Sequence, residues 1–224
     1  MISIIIPVLN EEKVLTEQKE YFETLSAHAQ LIFVDVGSDD QTSVLAAQWG
    51  ELLTAPKGRA SQMNRGVDAA KGRILLFLHA DTRIQPEALQ MVEDSIFKNV
   101  CDGGCFTQVI ERQGWIYRWI AFTGSCRARW TKIFYGDQGI FIRRDKFLES
   151  GGFPEVALCE DILFTRNIRK KVKLTVLKDP VFCSSRRWDR QGLLKTFFIN
   201  LRINRCILFN QDFDRLAKLY RDIR

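Results

Sequence analysis

The strongest constraint on the fold is a series of short apolar runs, each stopped by a proline, an acidic residue or a polar cluster. Ile2-Ser3-Ile4-Ile5-Ile6 stops at Pro7, Leu31-Ile32-Phe33-Val34 at Asp35, and Arg73-Ile74-Leu75-Leu76-Phe77-Leu78 at His79-Ala80-Asp81. Such β-branched-rich runs are how strands buried on both faces of a parallel sheet look. Helical spacing separates them: residues 11 to 27 (Val14, Tyr21, Phe22, Leu25), Thr42 to Gln48, and Ser61 to Ala70, with Glu51-Leu52-Leu53-Thr54 as a further strand. Repeating βα units of this length predict an α/β fold: a mostly parallel central sheet, right-handed crossovers, and helices on both faces.

The second half is less regular. A helix is predicted from Pro86 to about Asn99, strands over Cys105–Ile110 and Gly139–Ile142, and a helix-like aromatic stretch around Trp115, Tyr117, Trp119 and Phe122. If residues 112 to 135 form a mobile lid, Trp115, Tyr117, Trp119 and Trp130 border an acceptor site; ordinary packing is the alternative. Gly151-Gly152-Phe153-Pro154 reads as a turn, Glu160-Asp161 opens a helix, and Lys173–Leu177 is a late strand.

The length of 224 residues suits one large domain, here 1–190, with an appendage at 191–224. Hydrophobic residues at 46% and charged residues at 27% are those of a chain that buries a core. The net charge of +6 is unevenly spread: residues 1–165 hold 17 basic and 22 acidic side chains, residues 166–224 hold 16 and 5. A basic tail on a slightly acidic body points to an anionic partner. From Gly192 the tail shows helical spacing at Leu194, Phe197, Phe198, Leu201 and Leu208, flanked by Lys195, Arg202 and Arg205. That amphipathic stripe fits core cover, a subunit partner in a homodimer, or a peripheral membrane contact. The six cysteines form no C-x-x-C pair and the two histidines, His28 and His79, are not at metal-ligand spacing, so neither a zinc site nor a disulfide framework is expected. With no basic leader and no apolar run near 18 residues, the expectation is a reduced, cytoplasmic, non-spanning protein, peripheral at the inner membrane face if the tail meets lipid.

In parallel sheets ligands bind at the carboxyl ends of the strands. Those positions hold Asn10 and Glu11, Asp35 and Asp40, and Asp81. Asp35 and Asp40 have the chemistry to accept hydrogen bonds from a base or ribose, and Asp81 to hold a hard divalent cation. Helix capping is the alternative for this acidic cluster, and the favoured one for Asp39. Neither G-x-G-x-x-G nor G-x-x-x-x-G-K-[ST] occurs, so a different nucleotide-binding layout is needed.

Four segments in register supply one: Ser3-Ile4-Ile5-Ile6-Pro7-Val8-Leu9-Asn10-Glu11, Val34-Asp35-Val36-Gly37-Ser38-Asp39-Asp40-Gln41-Thr42, Gly58-Arg59-Ala60-Ser61-Gln62-Met63-Asn64-Arg65-Gly66, and Leu78-His79-Ala80-Asp81-Thr82, followed by Glu160-Asp161. Over about residues 1–190 the chain resembles family 2 glycosyltransferases of the GT-A fold. The resemblance implies that Pro7, Asn10, Glu11, Asp35, Asp40, Lys57, Arg59, Asn64 and His79 line a sugar-nucleotide pocket. It implies that Asp81, at the second Asp of the family's D-x-D, holds Mn²⁺ or Mg²⁺ against the diphosphate. Asp161 is then the general base on the acceptor hydroxyl, with Glu160 beside it, and transfer inverts the anomeric configuration. Asp137, in Tyr135-Gly136-Asp137-Gln138-Gly139, is the rival base.

The chain departs from the pattern twice. His79 replaces the first Asp of D-x-D, which removes one carboxylate from the metal site. Ser184-Ser185-Arg186-Arg187-Trp188 stands where processive members carry Q-x-x-R-W, without the Gln, so long-polymer synthesis is not implied. Arg186 or Arg187 has the fork geometry to clamp a diphosphate, and Trp188 to stack on an acceptor sugar or fill core. K-G-R-A-x-Q-M-N-x-G, H-A-D-T and G-D-Q-G-x-F further resemble a compact subgroup associated with arsenosugar biosynthesis. The expectation is transfer from a UDP- or GDP-sugar to a small hydroxylated or lipid-linked acceptor, with nucleic acid not a partner. The rival classes are nucleotidyl transfer on a similar sheet and a non-enzymatic module that binds anionic surfaces through the tail.

Overall fold

The computed structural model describes residues 1–186 together with Asp189, Gly192 and Thr196. Arg187, Trp188 and the amphipathic stripe of the tail lie outside the described residues. Seventeen elements follow one another: β1 (Ile2–Val8), α1 (Glu12–Glu17), α2 (Lys19–Ser26), β2 (Gln30–Asp35), α3 (Thr42–Ala46), β3 (Glu51–Thr54), α4 (Arg59–Ala69), β4 (Ile74–Phe77), β5 (Thr82–Ile84), α5 (Glu87–Phe97), β6 (Gly103–Ile110), α6 (Trp115–Thr131), a 3₁₀ turn (Gly136–Gln138), β7 (Ile140–Arg143), α7 (Arg144–Glu149), α8 (Glu160–Ile168) and β8 (Leu174–Cys183).

The eight strands form one sheet in the order β3-β2-β1-β4-β7-β6-β8-β5. Its first half is parallel, as the apolar runs predict. Strand alternation there is strict: Ile2, Ile4, Ile6, Leu31, Phe33, Ile74 and Leu76 enter one core, while Ile5, Ile32, Val34, Leu75 and Phe77 enter the other. The first core is closed by Val14 and Leu15 of α1, Phe22 and Leu25 of α2 and Val92 of α5. The second is closed by Met63 and Val67 of α4, Phe147 of α7 and Phe164 of α8. Burial on both faces is why these strands lack polar alternation.

The second half adds antiparallel pairings of β7 with β4 and β6, and of β5 with β8, around a parallel β6–β8 pair. Because β7 runs against its neighbours, its entrance lies at the same sheet edge as the carboxyl ends of β1, β2, β4, β6 and β8. That edge collects every strand-end residue singled out above.

One predicted helix divides in two, and one unpredicted short strand joins the sheet. Residues 11–27 are two helices meeting at Gln18 (φ −109°, ψ 21°), a bend that lets both apolar pairs reach the sheet. The short β5 was not predicted; it follows Asp81 at once and pairs with the end of β8. The helix-like stretch expected around Trp115–Phe122 is an unbroken α6 over residues 115–131, packed on β6 through Tyr117, Ala121, Ser125 and Ala128. Among the described residues no helix is long and apolar enough to cross a membrane.

Candidate active site

The loops after β1 and β2 are stitched together. The Asn10 N–H donates to Ser38 Oγ (2.9 Å), Asn10 Oδ1 accepts from the Asp39 N–H (2.9 Å), and the Glu11 N–H donates to Thr42 Oγ1 (2.7 Å). Asn10 adopts φ 51°, a left-handed conformation that Asn tolerates better than most residues. Beneath them Gln62, buried on α4, donates from Nε2 to both Val8 O (3.0 Å) and Val34 O (2.7 Å). Gln62 thus fixes the spacing of the two strand ends; the sequence reading placed it in a motif without giving it a role. A helical Gln inside an otherwise apolar face was the available signal.

The acidic residues of this corner are largely spent internally. Asp35 Oδ2 accepts from the N–H groups of Gly37 (3.1 Å) and Ser38 (3.0 Å) and from Ser43 Oγ (3.2 Å). Burial raises its pKa, but these bonds and that of Ser38 Oγ outweigh it and hold the carboxyl below its usual range. Asp40 takes the Thr42 N–H (2.9 Å) and the Glu12 N–H (3.2 Å), so the capping role expected of Asp39 belongs to Asp40. Asn64, expected at the nucleotide, exchanges two hydrogen bonds of 2.9 Å with the backbone of Phe153. Both halves of its amide are committed, so it pins the 151–154 turn to α4. Pro7 ends up inside β1, paired with Val34, while Lys57 stands exposed before α4.

At the centre of the edge Arg186, just beyond β8, reaches across to two other strand ends. Its Nη1 donates to Glu11 Oε2 (2.9 Å) and its Nη2 to Asp81 Oδ2 (2.9 Å) and Glu11 Oε1 (3.4 Å). Burial lowers the Arg186 pKa, but the bonds and charges of Glu11 and Asp81 win and raise it. For Asp81 burial works upward and is outweighed by the charge of His79 and by the hydrogen bond and charge of Arg186, leaving the carboxyl ionised below its ordinary range.

His79 faces the other way, toward the catalytic candidate. A Cβ built on Gly136 would stand 2.6 Å from His79 Nε2 and 3.2 Å from Asp161 Oδ2, so a side chain there would displace the His79 imidazole from this close approach. Asp161, on the first turn of α8, accepts hydrogen bonds from the Gly136 N–H and from the Ile162 N–H (2.7 Å). Burial, and then the neighbouring charge of Glu160, push its pKa up to about 7. That places it where a carboxylate is basic enough to take a proton at neutral pH. Glu160 is only 4% exposed; its Oε1 has no hydrogen-bond partner and lies 3.8 Å from Arg59 Nε. It faces the α4 side and acts on Asp161 through charge. The rival base Asp137 accepts from Gln108 Nε2 (2.8 Å), and its carbonyl accepts from Cys183 Sγ (2.9 Å).

As to a divalent cation, no group of three His, Cys, Asp or Glu is gathered to hold a metal among the described residues. Asp81 offers one hard carboxylate, partly engaged by Arg186. The donor set fits an ion that takes its remaining oxygen ligands from phosphate and water, as Mg²⁺ does, rather than one caged by protein.

Strand-end carboxylates at a sheet edge, a cation spanning two of them, and a carboxyl held near neutrality facing the same edge form the geometry of a group-transfer site. The family model "Glycosyl transferase family 2" matches residues 3–153. The chain belongs to this family. Its fold is GT-A, as in TarS of S. aureus in complex with UDP-GlcNAc (TM-score 0.63, 20% identity, 82% of this chain and 58% of that one). The mannosyltransferase PcManGT from Pyrobaculum calidifontis in complex with GDP-Man and Mn²⁺ is similar too (TM-score 0.63, 18% identity, 90% and 64%). So is glucosyl-3-phosphoglycerate synthase from Mycobacterium tuberculosis with Mn²⁺, UDP and glucosyl-3-phosphoglycerate (TM-score 0.59, 17% identity, 80% and 70%). Among curated proteins, PGL/p-HBAD biosynthesis glycosyltransferases of Mycobacterium bovis and Mycobacterium tuberculosis are 40% identical over 90 residues. Those matches cover 36% of this chain, and the chain spans about a third of their length, 35%.

Proposed function

We propose that this family 2 member is an inverting glycosyltransferase that moves a sugar from a UDP- or GDP-sugar to a hydroxyl acceptor, with Asp161 as general base. The observation that carries the reading is the placement of the Asp161 carboxyl against Gly136 and His79 at the edge where Asp81 and Arg186 lie, with burial raising its pKa. A hydroxyl is a poor nucleophile, and a carboxylate in hydrogen-bond reach removes its proton as the new bond forms, a contribution of roughly 10²–10⁴-fold.

The nucleotide enters over Asn10, Glu11 and Asp35, with Arg59 on its α4 side. Asp35 Oδ1 carries a single hydrogen bond, from Ser38 Oγ, and keeps acceptor capacity for a base N–H. A divalent cation held by Asp81 and the diphosphate would neutralise charge on the leaving group. Arg186 exchanges Glu11 and Asp81 for the diphosphate oxygens, a bidentate partner suited to its fork. His79 packs the floor between Asp81 and Asp161, whose separate environments keep one carboxylate ionised and the other basic.

At the finer level, K-G-R-A-x-Q-M-N-x-G and H-A-D-T argue for an acceptor of the arsenosugar kind, whereas the matched curated relatives are named for PGL/p-HBAD biosynthesis. The testing experiment is a panel of UDP- and GDP-sugars, with and without Mn²⁺, read by thermal shift and by nucleotide release. Stabilisation and slow hydrolysis with one donor class support the reading. No response to any sugar nucleotide, together with pyrophosphate release from a nucleoside triphosphate and a sugar phosphate, would replace it with nucleotidyl transfer.

A further inference from the structure

The helix α6 buries one side on β6, and among the described residues nothing covers the other. Trp115 is 79% exposed, Trp119 60%, Phe122 58% and Trp130 90%, and Cys126 between them is half-buried. At about 100° per residue these five fall within one stripe about 80° wide, opposite the buried Tyr117, Ala121 and Ala128. Arg118 and Arg129 run along one edge of the stripe, and Lys132 caps its end; α6 contains no acidic residue. Large aromatic side chains are seldom left this exposed on a surface without a partner.

We propose that the outward face of α6 docks on an anionic lipid bilayer. Tryptophan and phenylalanine in a row, lined by arginine, match an interface that is apolar below and negatively charged above. A second copy of this chain is the poorer occupant: isologous pairing sets the same face against itself and opposes Arg118 and Arg129 to cations without a carboxylate to offset them. The contact also has a consequence for the site. Ser125 of α6 accepts the Gln108 N–H (3.0 Å), Gln108 Nε2 donates to Asp137, and Arg127 Nη2 donates to Gln138 Oε1 (3.1 Å). A bilayer on the far side of α6 therefore puts the Asp137–Asp161 end of the edge beside the lipid surface, where a lipid-linked acceptor is met. This consequence alone rests on the glycosyl-transfer reading.

The test is sedimentation of the full chain with phosphatidylglycerol-containing vesicles and with pure phosphatidylcholine vesicles, with tryptophan quenching by brominated lipid. No nucleotide or acceptor is present, so the outcome is separate from that of the transfer assays. We expect at least tenfold tighter binding to the anionic vesicles. The variant Trp115→Ser/Trp119→Ser/Trp130→Ser should lose at least tenfold, and so should Arg118→Glu, whose exposed side chain leaves the aromatic face and the Arg129–Thr107 hydrogen bond intact and which guards against a folding defect in the first. Absence of binding by the native chain overturns the proposal. Unchanged binding in both variants overturns it too, because the contact then lies elsewhere. So does a native dimer that becomes monomeric in the variants without ever binding vesicles.

Discussion

The Arg186 guanidinium donates to Asp81 at 2.9 Å while its other nitrogen holds Glu11 at the same distance, so a residue after the last strand neutralises the ends of the first and fourth. Two strand-end carboxylates thus share one guanidinium. A divalent cation held by Asp81, as proposed above, would compete with Arg186 for that carboxylate.

Removing the competitor exposes that relationship. Arg186→Ala should bind Mn²⁺ more tightly than the native chain without nucleotide, by about threefold to tenfold in a calorimetric titration. Its transfer rate should fall by about 10²-fold as the diphosphate loses its clamp. Unchanged metal affinity would show that Arg186 and the ion do not share Asp81.

Asp161→Asn should lower turnover by roughly 10²–10⁴-fold and leave the dissociation constant for the sugar nucleotide within about threefold, since the amide keeps the shape and loses the base. Single-turnover kinetics with equilibrium nucleotide binding measure both. Near-normal turnover would transfer the role to Asp137.

The pH dependence follows from the direction of the Asp161 shift. Its folded-state pKa of about 7 lies above the ordinary 3.8, so the folded protein favours the protonated form. That contribution to stability is fully present below about pH 4 and is lost as pH rises through 7. The Asn variant lacks this loss. Its melting temperature should rise relative to native between pH 4 and pH 8, by an amount on the order of 1–3 kcal/mol in stability. The native transfer rate should climb with pH through the same window, because only the ionised carboxylate accepts a proton. A flat difference between the two melting curves would place the titration elsewhere.

Gly136→Ala would press a methyl group to 2.6 Å from His79 Nε2. The imidazole must turn away and carry the Asp161 environment with it. We expect a loss of about 1–3 kcal/mol in stability and at least tenfold in kcat, with KM for the donor little changed. Chemical denaturation and steady-state kinetics check the two parts.

Gln62→Met removes the donor shared by the Val8 and Val34 carbonyls. The expected cost is about 2–4 kcal/mol, with weaker nucleotide binding as the two strand ends lose their tie. Urea unfolding with and without UDP separates the effects.

The apolar runs at Ile2–Ile6, Leu31–Val34 and Ile74–Phe77 determined by themselves that this chain builds a parallel half-sheet, because apolar runs without polar alternation are stable only with both faces covered. The same pattern placed Glu11, Asp35 and Asp81 at one edge, since parallel strands end together. Asp161 was legible as the candidate base, but its pKa of about 7 was not. That depends on burial and on Glu160, both products of how α8 seats against the 3₁₀ turn at Gly136. Tertiary structure alone decided three further points. Asn64 turns to Phe153, Gln62 ties two strands, and Arg186 crosses to Asp81 and Glu11. Periodicity reports which face of an element is buried; partners 28 to 175 residues apart are chosen only when the sheet brings their ends within hydrogen-bond reach.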